Sequence, residues 1–219
     1  MYLGVDYYPE HWNENMLNED LDNIIELGSN VIRIGEFAWH MMEKVEGQYD
    51  FSYFDHVIAK AKEKGLNVIF GTPTATMPAW LAKNYPEVLS EFEDNTKRVF
   101  GGRRQYCFNS RTYHKFSEKI IRALAEHYKN EKGIVAWQID NEFGHEGSDI
   151  CFCNECKRAF REYLKEAYNN DINKLNEVLG TVFWSQEYND FDEIPLPAKT
   201  ITTHNPSLRM EWERFRSIS

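Results

Sequence analysis

Apolar and polar positions along this chain switch between two periods. Apolar runs of five or six residues, Tyr2–Asp6, Asn30–Ile34 (NVIRI), Leu66–Gly71 (LNVIFG) and Ile134–Ile139 (IVAWQI), read as strands. Between them apolar residues recur at helical spacing. Leu21, Ile24, Ile25 and Leu27 stripe a helix over Asn18–Leu27 that stops at Gly28. Phe54, Val57, Ile58 and Ala61 do the same over Tyr53–Lys64, with Gly65 just past its end. Thr72-Pro73 closes the third strand, and a loop-rich stretch with a short helix near Ala79–Asn84 follows. Phe116, Ile120, Leu124 and His127 mark a long helix from Ser110-Arg111 through Tyr128. Beyond Phe152 the pattern predicts helices over Asn154–Tyr168 and Asp171–Leu179, then an aromatic loop over Phe183–Tyr188. A final helix starts near Ser207 and runs uncapped to Ser219, which reads as a truncated chain.

Strand–helix units of roughly 30–40 residues imply a parallel sheet with helices outside it. The continuous apolar strands agree, since parallel strands are buried on both faces. A doubly wound sheet and a sector of an eight-fold barrel both fit. The first strand–helix turn carries neither G-x-G-x-x-G nor a P-loop, which weakens the nucleotide-binding version. Polar residues cluster at strand C-terminal ends, at Asp6, Arg33, Thr72 and Asn141-Glu142, where a barrel keeps its active site. At 219 residues the chain is shorter than the about 250 of a complete (β/α)8 barrel.

Composition narrows the function. The net charge of -10 weighs against a phosphate-backbone partner or an anionic membrane surface. No apolar run approaches the about 18 residues of a membrane span. The opening MYLGVDYYPEHW shows no basic n-region and no apolar h-region, so a cytoplasmic location with reduced cysteines is expected. Aromatic residues reach 15%, and 6 Trp with 12 Tyr suit flat, partly polar ligands such as sugars as well as a core.

The stretch WQIDNEFG (Trp137–Gly144) starts as a buried strand and ends on Asp140-Asn141-Glu142. A carboxyl on a rigid strand end, beside an amide donor, suits general acid/base work. An N-cap or a surface ion pair is the plainer reading of Glu142. Arg33 at a strand end needs a carboxylate or a ligand, and Glu36 is a nearby carboxylate. Of Arg103 and Arg104 in GGRRQYCFNS, one is expected to point inward, and spacing does not choose between them. His11, His40 and His114 read as hydrogen-bonded surface or core histidines. Cys151, Cys153 and Cys156 form C-x-C-x-x-C, and Cys107 lies upstream in another βα loop. Four thiolates satisfy tetrahedral zinc with no open position, a structural site joining the two loops. Two disulfides or free thiols are the alternatives, and the absent signal peptide disfavours disulfides. Trp184 and Tyr188, with Trp12 and Trp39, are candidate stacking surfaces for a sugar.

In order along the chain, LGVDYYPEHW, RIGEFAW, TPTATMPAWL, GGRRQYCFNS, WQIDNEFG, the C-x-C-x-x-C cluster, FWSQEY and HNPSLRMEWERF resemble the glycoside hydrolase family 42 β-galactosidases. The resemblance implies an α/β fold, a TIM (β/α)8 barrel of which residues 1–219 are about the first half. It implies a retaining β-galactosidase that releases terminal non-reducing β-D-galactose by double displacement. Glu142 would be the acid/base, Asn141 would bond the sugar 2-hydroxyl, and Arg103 and Trp184 would line the substrate. Cys107, Cys151, Cys153 and Cys156 match the zinc set found in part of the family, and a homotrimer is implied. A retaining enzyme needs a second carboxylate about 5–5.5 Å from the first. In the family this is a Glu after the seventh strand, and Glu146, Glu211 and Glu213 do not match it. The chain alone is therefore expected to be inactive. Two other readings remain: a non-catalytic sugar-binding fragment, and a related clan glycosidase such as an α-L-arabinosidase.

Overall fold

Four short strands, β1 (Gly4–Asp6), β2 (Val31–Ile34), β3 (Asn67–Gly71) and β4 (Ile134–Gln138), pair in parallel in the order of the chain. A doubly wound sheet reverses its strand order at a switch point, and this sheet does not. Consecutive order is that of a barrel sector. The computed structural model describes residues 1–202 and 205–218, the Glu146 side chain apart. His204 of the motif above and the chain end at Ser219 therefore lie outside the described residues. These residues fall into two compact units. The first comprises 1–86, 101–104 and 115–143, and the second 87–100, 105–114 and 144–219.

In the first unit, α1 (Leu17–Glu26), α2 (Trp39–Met42), α3 (Ser52–Glu63), α4 (Ala79–Asn84) and most of α5 (Arg111–Tyr128) accompany the sheet. The predicted stops hold, because Gly28 and Gly65 adopt φ of +85° and +78°, which a side chain would resist. The stripes Leu21 and Ile24, Phe54, Val57 and Ile58, and Ile120 and Leu124 are all buried. Ile32, Ile34, Val68 and Phe70, which alternate along β2 and β3, are fully buried as well. Phe70 joins strand to helices, 5.4 Å from the Phe54 ring and 5.2 Å from Tyr128. Full burial holds on one face only, even at the centre of the sheet, where Arg33, Asn67 and Ile69 on the other face are half-buried. The edge strands differ from expectation: all of β1 is exposed, as are Trp137 in β4 and Ile139 just after it. Gly71 has a steric role. A Cβ there would lie 2.5 Å from Glu36 Cβ, so only glycine lets the loop after β2 pass this close to β3.

The second unit is helical, with α6 (Asn154–Ala167), α7 (Ile172–Leu179) and α8 (Pro206–Arg216). Asp171 caps α7 through the Lys174 N–H at 3.1 Å, and Asn205 caps α8 through Ser207 and Leu208. Phe160, Leu164, Leu175, Leu179, Leu208, Trp212 and Phe215 pack one core with the four cysteines. The last helix does not run to Ser219. It ends at Arg216, where the Ser217 N–H bonds the Glu213 and Arg214 carbonyls and its hydroxyl donates to Arg214 at 2.7 Å. Among the described residues no helix is long and apolar enough to cross a membrane.

Candidate active site and cysteine cluster

The segment after β4 is held in a conformation that its residue types disfavour. Asp140 has φ +55° and Glu142 φ +48°, left-handed values that cost a non-glycine residue about 1–2 kcal/mol each. Buried hydrogen bonds impose them. The Asp140 N–H donates to Thr72 Oγ1 at 2.7 Å. Its carboxylate accepts the Thr74 hydroxyl at 2.6 Å and the Asn141 N–H at 2.6 Å. The Gln138 side-chain amide donates to Asn141 Oδ1 at 3.1 Å, which leaves the Asn141 NH2 as its donor end.

Glu142 is half exposed. Its Oε2 sits 3.1 Å from Arg103 Nη1 and 3.6 Å from Arg104 Nη1. Arg104 is the arginine that points inward, with 1% exposure against 32% for Arg103. Its Nη1 donates to the carbonyls of Asn141 and Glu142 at 2.9 and 2.6 Å. Sequence reasoning named both arginines without choosing between them, since two adjacent arginines look alike until the backbone sets which one turns in. It missed the Asp140–Thr72–Thr74 lock, whose members lie 66 and 68 residues apart.

At the ends of β1 and β2, Arg33 pairs with Asp6 at 2.8 Å and with Glu36 at 3.0 Å. The Tyr8 hydroxyl also donates to Glu36, which has no exposed surface. Arg33 is thus an ion-pair hub. Both carboxylate oxygens of Glu10 are buried, and that burial pushes its pKa up. His11 stacks on Tyr8, His40 is exposed, and His114 donates to the Phe108 carbonyl.

In the second unit, Cys107, Cys151, Cys153 and Cys156 bring four Sγ atoms within 4.8 Å of one another, all buried and none in a disulfide. A tetrahedron of sulfurs about 2.3 Å from a zinc ion has edges of about 3.8 Å, so the cluster fits a metal without a fifth partner. N–H groups already point at three of the sulfurs. The Glu91 amide donates to Cys151, and Asn109 donates its backbone N–H to Cys107 and its side chain to Cys156. Hydrogen bonds from Cys107, then Cys151 and Cys156, hold the Cys153 thiol well below its usual range. Those from Cys151, then Cys153 and Cys156, push Cys107 up. Four thiolates at this spacing would repel one another, and a cation among them would offset that repulsion.

Trp184 also belongs to the second unit. It is exposed, stacks on Phe183 at 4.8 Å, and has φ +59°. Glu211, half of the acidic pair on the last helix, is buried and accepts from Tyr163, Tyr168 and Arg214. Glu213 pairs with Arg216.

The glycoside hydrolase 42 β-galactosidase family model matches residues 6–219. The chain is 43% identical to the β-galactosidase BgaA of a Thermus species over 98% of its length, and 38% identical to BgaH of Haloferax lucentense over 100%. In each case it spans about a third of the relative's length, 33%. Its fold superposes on the crystal structure of the β-galactosidase from psychrophilic Marinomonas ef1 with a TM-score of 0.93, at 38% identity, covering 99% of this chain and 33% of that one. A β-amylase catalytic domain from Paenibacillus polymyxa superposes at a TM-score of 0.64 with 15% identity, a likeness of fold alone.

Proposed function

The chain belongs to the glycoside hydrolase family 42 β-galactosidases, and from that premise we propose that it carries the acid/base side of a retaining β-galactosidase. The observation that supports this most is the locked strand end. Asn141 and Glu142 are held by buried hydrogen bonds at the C-terminal end of a parallel strand, with Arg103 on the Glu142 carboxylate. The nucleophile is proposed to lie in the two thirds of the relatives' length that this chain does not span.

In this reading terminal β-D-galactose binds with Asn141 donating to its 2-hydroxyl, while Arg103 lines the sugar. The nucleophilic carboxylate attacks the anomeric carbon as the glycosidic bond breaks, and the Glu142 proton goes to the departing oxygen. Glu142, now a carboxylate, takes a proton from water as that water opens the galactosyl ester. The inversions cancel and galactose leaves with retained configuration. Cys107, Cys151, Cys153 and Cys156 hold a zinc ion whose closed shell supplies rigidity, not catalysis. Thiols free of disulfides suit a reducing cytoplasm. The homotrimer rests on the resemblance and is checked by light scattering of the full-length protein.

Glu142→Gln in the full-length protein tests the assignment. Alkyl or unactivated aryl galactosides should lose about 10²–10⁴-fold in turnover. A dinitrophenyl galactoside, whose leaving group needs no proton, should lose far less. Near-normal turnover of the unactivated substrates would end the assignment. Arabinosides run alongside decide the sugar preference.

A further inference from the structure

Arg104 is among the largest fully buried side chains of the chain. A buried guanidinium is costly unless its donors are used. The Arg104 Nη1 stands 3.6 Å from the Glu142 carboxylate and donates to two consecutive backbone carbonyls, those of Asn141 and Glu142, at 2.9 and 2.6 Å. Consecutive carbonyls point in opposite directions in a strand and in the same direction in a helical conformation of either hand. One nitrogen therefore reaches both because Glu142 is helical in sense, here left-handed at φ +48°, and not extended. Arg104 is itself left-handed, at φ +54°, and its N–H is anchored on the Ala75 carbonyl at 2.9 Å.

From this we infer that Arg104 is the positioning residue of the acid/base. It clamps the peptide that carries Glu142 in the conformation that aims the carboxyl, while Arg103 meets the carboxylate at 3.1 Å. The proposal rests on the reading of Glu142 as the acid/base. Without the clamp the Glu142 peptide returns to an extended conformation, and the carboxyl swings away from the departing oxygen. A displacement of about 1 Å in a reacting group costs about 10²-fold.

The test uses the full-length protein with Arg104→Met, Arg104→Lys and Glu142→Gln, each assayed on an alkyl galactoside and a dinitrophenyl galactoside. Arg104→Met is expected to lose about 10²-fold in kcat/KM on the alkyl substrate and only a few-fold on the dinitrophenyl one. Competitive inhibition by galactose should be nearly unchanged. Arg104→Lys, which keeps a cationic donor for the carbonyls, should recover part of the loss. It also carries the test if the methionine variant does not fold. Equal losses on both substrates, or none, would overturn the inference. If Glu142→Gln shows no leaving-group dependence, the acid/base reading falls instead.

Discussion

The strand-end cluster around Glu142 and the cysteine cluster use similar bonds for opposite ends. The first spends buried hydrogen bonds on a backbone that would rather relax, and leaves its key carboxyl half exposed. The second buries every reactive atom and points N–H groups at the sulfurs. An open carboxyl on a braced backbone stays available to solvent, while a closed cluster serves architecture. Removing a cysteine should therefore cost the second unit its fold, whereas removing one bond of the strand-end lock should cost the first only part of its stability.

The largest expected effect falls on the closed cluster. Structural zinc contributes about 10–16 kcal/mol of apparent binding free energy in small domains. Cys156→Ser or strong chelation should abolish cooperative melting of the second unit, read by circular dichroism beside elemental analysis. Less than about a tenth of an equivalent of zinc in protein purified without chelator would remove the metal claim. Next comes Thr74→Val, which leaves the buried Asp140 carboxylate short of a hydrogen bond and should cost about 1–3 kcal/mol in denaturant melts. An unchanged melt would mean that Asp140 is held without Thr74.

Both units should weaken in alkali, because burial raises Tyr7, Tyr53 and Tyr128 in the first as well, but only the second sets its tyrosines on Glu211. Burial, with Glu211 beside them, pushes Tyr163 and Tyr168 up to about 12. An unfolded tyrosine titrates near 10, so between about pH 10 and 12 the unfolded chain has released protons that the folded chain keeps. This contribution is complete below pH 10 and lost as pH rises toward 12. A second unit that melts equally well across that window would remove the Glu211 network from the account. The smallest effect is in the first unit. Burial raises Glu10 above its usual range, so its contribution is present at low pH and lost as pH rises through the raised value. Glu10→Gln should then raise the Tm near neutral pH by up to about 2–4 °C, and a lowered Tm would contradict this.

Much of the frame was legible because it depends on local periodicity. The stripes at Leu21 and Ile24, at Phe54, Val57 and Ile58, and at Ile120 and Leu124 are the faces that bury. The Arg33–Glu36 pair was readable from three-residue spacing. The conformations of Asp140, Glu142, Arg104 and Trp184 were not. Each is a left-handed residue without glycine, and no local signal predicts one. For the first three, hydrogen bonds to residues distant in sequence take part, which a single strand of letters does not display. The extent of α8 was misread because Ser217, which ends it, carries no strong stop signal. Burial of whole strands was overestimated because the pattern does not say which strands stand at an edge, nor how far the second face is covered.

Gly71 places a constraint on descent. It has no side chain with which to do chemistry, yet any replacement must displace Glu36. Glu36 holds Arg33 and Tyr8, and Arg33 holds Asp6. A lineage drifting at this one position would have to rebuild four residues on two strands and their loops at once. Neutral change should stall there, and a saturation library should show position 71 as intolerant as Asn141 or Glu142.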